Sequence, residues 1–125
     1  MNITRKVGFI MPAKFNYEWP YNFIIELLEF DEVYRNSPND IIPTIEYVLS
    51  TLRDHCESSE RAIIYHYRNK LSYKDIAYIM SYGVQKSESD IQKMVHDGQD
   101  FIKNSPFLID CLRHGIHDLI LQSHE

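Results

Sequence analysis

Few residues in this chain have the types and spacing that chemistry needs. Cys111, His114 and His117 follow one another at three-residue steps, and His55 adjoins Cys56. Zinc sites use these residue types, but usually as Cys-x-x-Cys or His-x-x-x-His pairs, and neither spacing occurs. On a helix, His114 and His117 would point away from the apolar stripe beside them. Cys56 and Cys111 stand far apart, which suits two reduced, half-buried thiols in the cytoplasm better than a disulfide framework. The adjacent Asp31 and Glu32 read as solvated charge. There is no Gly-x-Ser-x-Gly elbow and no glycine loop to cradle phosphate. The chain is therefore expected to have no catalytic residues, no bound metal and no cofactor, and not to be an enzyme.

A different kind of pattern lies between residues 86 and 103. Helical spacing places Ser89, Gln92, Lys93, His96, Gln99, Asp100 and Lys103 on one face, just after Lys86. Glutamine can bond an adenine edge through two atoms, and lysine can reach guanine or phosphate. Ile91, Met94, Val95, Gly98, Phe101 and Ile102 fall on the opposite side. Lys86, Ser89, Gln92, Lys93, His96, Gln99 and Lys103 are the candidate DNA-binding residues. A solvated or protein-binding helix face has the same composition, so both readings stay open.

The elements that must position this stripe are helical. A length of 125 residues with 44% hydrophobic content suits one domain with a real core. An N-terminal arm covers 1–19, with Arg5, Lys6 and Lys14 as basic residues; Val7–Met11 is too short for a signal sequence. Residues 20–125 are expected to form a small all-α bundle of about five to six helices. The first starts at Pro20, with Phe23, Ile24, Leu27, Leu28, Phe30 and Val33 as its apolar face, and breaks at Arg35–Asn39. The second runs from about Asp40 to Cys56 on Ile41, Ile45, Val48, Leu49 and Leu52. Ser58 or Ser59 would cap a third, over Glu60–Arg68. Ser72 with Asp75 would cap a fourth, starting at Tyr73 and burying Ile76, Ala77, Ile79 and Met80. Ser81–Ser87 connects to the stripe helix, capped by Ser87 or Ser89 and running to about Asn104. Pro106 closes that unit, and a last helix from Phe107 to about Gln122 buries Leu108, Ile109, Leu112, Ile116, Leu119 and Ile120. Tyr65, Tyr67, Tyr73, Tyr78 and Tyr82 are expected to pack in the core and at its rim.

The stretch ERAIIYHYRNKLSYKDIA carries an acid-basic start, an aliphatic pair, a Tyr-basic end and then Leu-Ser, an acid and Ile-Ala. Ala77 is the small residue where two helices approach, and SESDIQKMVHDGQDFIK opens on Ser and small polar residues before an aliphatic. Residues 57–103 thereby resemble region 4 of sigma factors and the related ArpU-type phage regulators. The resemblance implies a helix-turn-helix-like unit that grips promoter DNA with its last helix in the major groove. The connection from Ala77 to Ile91 is longer, by about four residues, than the turn of ordinary units of this kind.

The formal net charge is -5. Tight binding of DNA by one module usually needs a basic surface, because neutralised phosphates supply much of the affinity. The expected function is a DNA-binding transcriptional regulator of phage or prophage origin, acting on double-stranded DNA, as a homodimer or with RNA polymerase or another protein. The competing expectation is an acidic protein-binding module, an inhibitor or adaptor of a nucleic-acid-handling protein. No stretch is long and apolar enough for a membrane span.

Overall fold

The computed structural model describes residues 19–37 and 41–123. Among these the protein is all-α. The α-helices are α1 (Trp19–Glu29), α2 (Asp31–Arg35), α3 (Ile41–His55), α4 (Glu57–Ile63), α5 (Tyr73–Ile79), α6 (Glu88–Lys103) and α7 (Pro106–Ser123). Residues 1–18 of the expected arm, with Arg5, Lys6 and Lys14, lie outside the described residues, and its last residue, Trp19, opens α1.

The aliphatic spacing of α3 explains its place at the centre. Ile41, Ile45, Val48, Leu49 and Leu52 are all buried, and each such side chain stabilises the fold by roughly 1.5–3 kcal/mol. Pro43 is accommodated in the first turn, where no helical N–H is lost. Around α3 lie α4, α6 and α7, and α1 closes against α7 and α6.

The first helix is shorter than expected. The chain leaves helical geometry at Phe30 (φ −111°, ψ 81°) and restarts as α2 on a new axis. Phe30 and Val33 are consequently exposed, at 55% and 45%, while Tyr21 and Tyr34 take the buried positions. The Tyr34 hydroxyl bonds the Glu46 carboxylate, and the Arg68 guanidinium lies 4.7 Å from the Tyr34 ring centre. Burial, and then the bond to Glu46, push the Tyr34 phenol up to about 12. Arg68 also meets Asp31 at 3.5 Å. This cluster fixes the redirected helix against the core.

The third expected helix ends at Arg68 as expected but differs at its start and in the geometry of its second half. It begins at Glu57 with Cys56 as N-cap, and neither Ser58 nor Ser59 caps it. Ser59 is buried instead, because α6 crosses at that point. Beyond Ile63 the helix widens into a π-turn, Ile64–Arg68. Asn69 N–H donates to the Ile64 carbonyl at 3.1 Å, and Leu71 N–H to that of Tyr65 at 3.1 Å. Lys70 takes the left-handed conformation, φ 59°, that ends the turn. Single π-turns of this kind reorient side chains; here Tyr67 comes to face α6 and Arg68 to face α2.

α5 and α6 start as expected. Asp75 N–H donates to the Ser72 hydroxyl at 3.1 Å. Ser87 and Asp90 form a reciprocal capping box. α5 buries Ile76 and Ala77, with Met80 just beyond its end; Ile79 is only half-buried. Pro106 opens α7 instead of merely closing the preceding unit, since a first-turn proline sacrifices no hydrogen bond. Leu108, Ile109, Leu112 and Ile116 are buried as expected; the side chains of Leu119 and Ile120 lie outside the description.

Candidate functional site

The stripe helix α6 stands on α4 and α5 through Ile91, Val95, Gly98 and Ile102, all buried, with Met94 and Phe101 half-buried beside them. Gly98 permits this approach: a Cβ there would lie 2.7 Å from Ile63 Cδ1 and 3.2 Å from Ser59 Cβ. Small size at position 98 thus sets how α6 seats, and with it the direction in which the polar side points.

Ser89, Gln92, Lys93 and His96 are exposed along the N-terminal half of α6. The C-terminal half behaves differently. Gln99 is half-buried and donates through Nε2 to the Tyr67 hydroxyl at 2.9 Å. Lys103 is half-buried, with its ammonium 5.1 Å from the centre of the Tyr21 ring. The expected continuous free stripe therefore stops near Asp97, because α1 and the π-turn pack over the second half. Burial drives the Tyr21 phenol strongly upward, with Tyr67 adding to the rise and the Gln99 amide opposing it. Burial likewise raises Tyr67, again opposed by Gln99. Both hydroxyls stay protonated; Gln99 ties α6 to the π-turn, and Lys103 over the Tyr21 ring meets α1.

The start of α6 is fixed equally firmly. Ser87 N–H donates to an Asp90 carboxylate oxygen at 2.8 Å, and Asp90 N–H donates to the Ser87 hydroxyl at 3.1 Å. The bond from the Ser87 backbone N–H, then that of its side chain, holds the Asp90 carboxyl below its ordinary range, helped by the charge of Lys86. Lys86 itself is half-buried. Its backbone N–H donates to the Ser81 hydroxyl at 3.0 Å, which in turn donates to the Ala77 carbonyl at 2.6 Å. One serine thus ties the end of α5 to the start of α6 and shapes the longer connection.

Carboxylates share the solvent side of α6. Glu88, Asp90, Asp97 and Asp100 are all exposed, and Lys93 pairs with Asp97 at 3.0 Å. Such an exposed i,i+4 pair is worth only ~0.3–0.5 kcal/mol, so Lys93 can exchange Asp97 for another anion at little cost.

No protein-family model matches the chain, and neither a curated protein nor a solved structure does.

Two features escaped the reading of the sequence. Tyr78 and Tyr82 do not pack: they are 87% and 78% exposed. Their signal was present in the spacing Lys74, Tyr78, Tyr82, which runs at four-residue steps opposite Ile76 and Met80. The second is Gly115 on α7, where a Cβ would lie 3.0 Å from Thr44 Oγ1 of α3; nothing in its neighbours marks it. Among the described residues no group of three His, Cys, Asp or Glu side chains is placed to hold a metal ion. His114 is exposed, and both cysteines are half-buried free thiols. Bonds from Ser58 and Ser59 lower the Cys56 thiol. No helix among the described residues is long and apolar enough to cross a membrane.

Proposed function

We propose that the α5–α6 unit binds double-stranded DNA, with the N-terminal half of α6 entering the major groove and the chain acting as a transcriptional regulator. The observation that carries this reading is the seating of α6: its aliphatic side is consumed by α4 and α5, while Ser89, Gln92, Lys93 and His96 project from its first half. Gln92 and Lys93 supply base-edge and phosphate contacts; Lys74 and Lys86 flank them for the backbone. Glu88 and Asp90 occupy the first turn, where the positive end of the helix dipole offsets their charge. Gln99 and Lys103, committed to Tyr67 and Tyr21, drop out of the proposed contact set. A single module with this charge binds weakly, so a second copy or another DNA-bound protein such as RNA polymerase supplies the remaining affinity.

The test is fluorescence anisotropy on labelled duplexes of randomised sequence at about 50 mM salt, where phosphate contacts count most. Binding should weaken linearly with the logarithm of salt concentration, and Lys93→Glu should weaken it further. Absence of binding at that salt by both the parent chain and Asp97→Asn, which frees Lys93, would sink the proposal.

The exposed carboxylates Glu88, Asp97 and Asp100 favour one alternative, in which the same face docks a basic protein surface. Asp97→Asn separates the two: it should strengthen DNA binding and weaken capture of a basic partner.

A further inference from the structure

The end of α5 and the connection from it to α6 have a composition and exposure that the major-groove reading leaves unused. Tyr78 and Tyr82 stand 87% and 78% in solvent. Aromatic rings normally spend their large apolar area in a core or an interface, and two so open on one short segment are available to a ligand. Both line an open hollow of about 1060 Å³ whose charged lining is Lys74, Lys86 and Glu88. The lining is thus net positive, in a chain whose formal net charge is -5.

The segment is held in place. The Ser81 hydroxyl bonds both the Ala77 carbonyl and the Lys86 N–H, at 2.6 and 3.0 Å. Val84 N–H reaches back to the Tyr82 carbonyl at 2.7 Å, around Gly83 with φ 72°, a turn that glycine makes without strain. Tyr82 is therefore presented from a braced turn, and little backbone freedom is left to be lost on binding.

Exposed aromatic rings beside lysines, on a braced backbone, are what unpaired nucleotides bind: every base has a face to stack, and the backbone follows the cations. We propose that Tyr78 and Tyr82 form a stacking platform for unpaired nucleotides, flanked by Lys74 and Lys86, so that the protein prefers DNA carrying a single-stranded segment next to a duplex. This rests on the DNA reading above for the duplex part, while the platform itself depends only on the hollow.

The experiment compares anisotropy titrations of a blunt duplex, the same duplex with a short oligothymidine overhang, and the free oligothymidine. The full chain is tested with Tyr78→Ala, Tyr82→Ala and Tyr82→Phe. Tyr47→Ala, which removes an exposed tyrosine on α3, is the control. All these side chains are at least half open or nearly so, so circular dichroism should show unchanged folding. The overhang should tighten binding about a hundredfold, roughly tenfold for each of two aromatic–base stacks. Tyr78→Ala and Tyr82→Ala should each remove about tenfold of that gain, and Tyr82→Phe and Tyr47→Ala should keep it. An overhang that adds nothing, or a gain that survives both alanine variants, overturns the platform while leaving duplex binding intact. Tyrosine-dependent binding of the overhang without binding of the blunt duplex supports the platform and removes the major-groove reading. No binding to any probe overturns both.

Discussion

The two halves of α6 use the same residue types to different ends. Up to His96 the helix shows solvent a glutamine and a lysine, Gln92 and Lys93; beyond it another glutamine and another lysine, Gln99 and Lys103, are turned onto Tyr67 and Tyr21. The difference lies in what packs alongside. α1 and the π-turn cover the second half, and nothing among the described residues covers the first. A polar side chain on a helix is therefore left free in solvent or drawn into a structural tie according to its neighbours and not its type.

Substitutions on either side can break that contrast. The largest effect is expected from Gly98→Leu, which forces a side chain against Ile63 and Ser59. It should cost about 1–3 kcal/mol, read as a lowered midpoint in urea, and it should weaken DNA binding by reseating α6. Ser87→Ala should cost roughly 1 kcal/mol by removing the hydroxyl half of the capping box at the start of the exposed half, the Ser87 N–H bond to Asp90 remaining. The same box makes a pH prediction. Asp90 has its carboxyl lowered in the folded chain, so its contribution is present above the ordinary aspartate range and is lost as pH falls through and below it. Thermal midpoints followed downward from neutral pH should show a smaller acid loss in Asp90→Ala than in the parent, whereas Ser87→Ala, which keeps the backbone N–H that bonds the carboxylate, should retain most of it. Gln99→Ala should cost about 0.5–1.5 kcal/mol for the bond to Tyr67, with DNA affinity unchanged among molecules that remain folded. Lys93→Glu should show the reverse: a stability change within about 0.5 kcal/mol, as for exposed pairs, and a clear loss of DNA binding. If Gln99→Ala weakened binding as much as Lys93→Glu does, the division of α6 into two halves would be wrong.

Much of the helical layout was legible because local chemistry dictates it. The Ser72–Asp75 and Ser87–Asp90 pairs cap α5 and α6 through contacts three residues apart, and the aliphatic spacing of α3 names its buried face. The failures have non-local causes. The break at Phe30 leaves a good apolar pattern running across it, and only the cluster of Tyr34, Arg68 and Glu46 explains why α2 turns away. Ser59 has an N-cap's chemistry, yet α6 lies over it. The π-turn after Ile63 has no local signal; it follows from the need to bring Tyr67 to Gln99 and Arg68 to Asp31.

For the candidate site, sequence alone determined which side of α6 is aliphatic and where the helix starts, since periodicity and capping depend on near neighbours. Tertiary structure decided which polar residues stay free, because that depends on whether α1, the π-turn or solvent lies opposite each one. It also decided that Tyr78, on the outer side of α5, and Tyr82, in the braced connection, remain outside the core: four-residue spacing can set them opposite Ile76 and Met80, but only the fold shows that no other element among the described residues covers them.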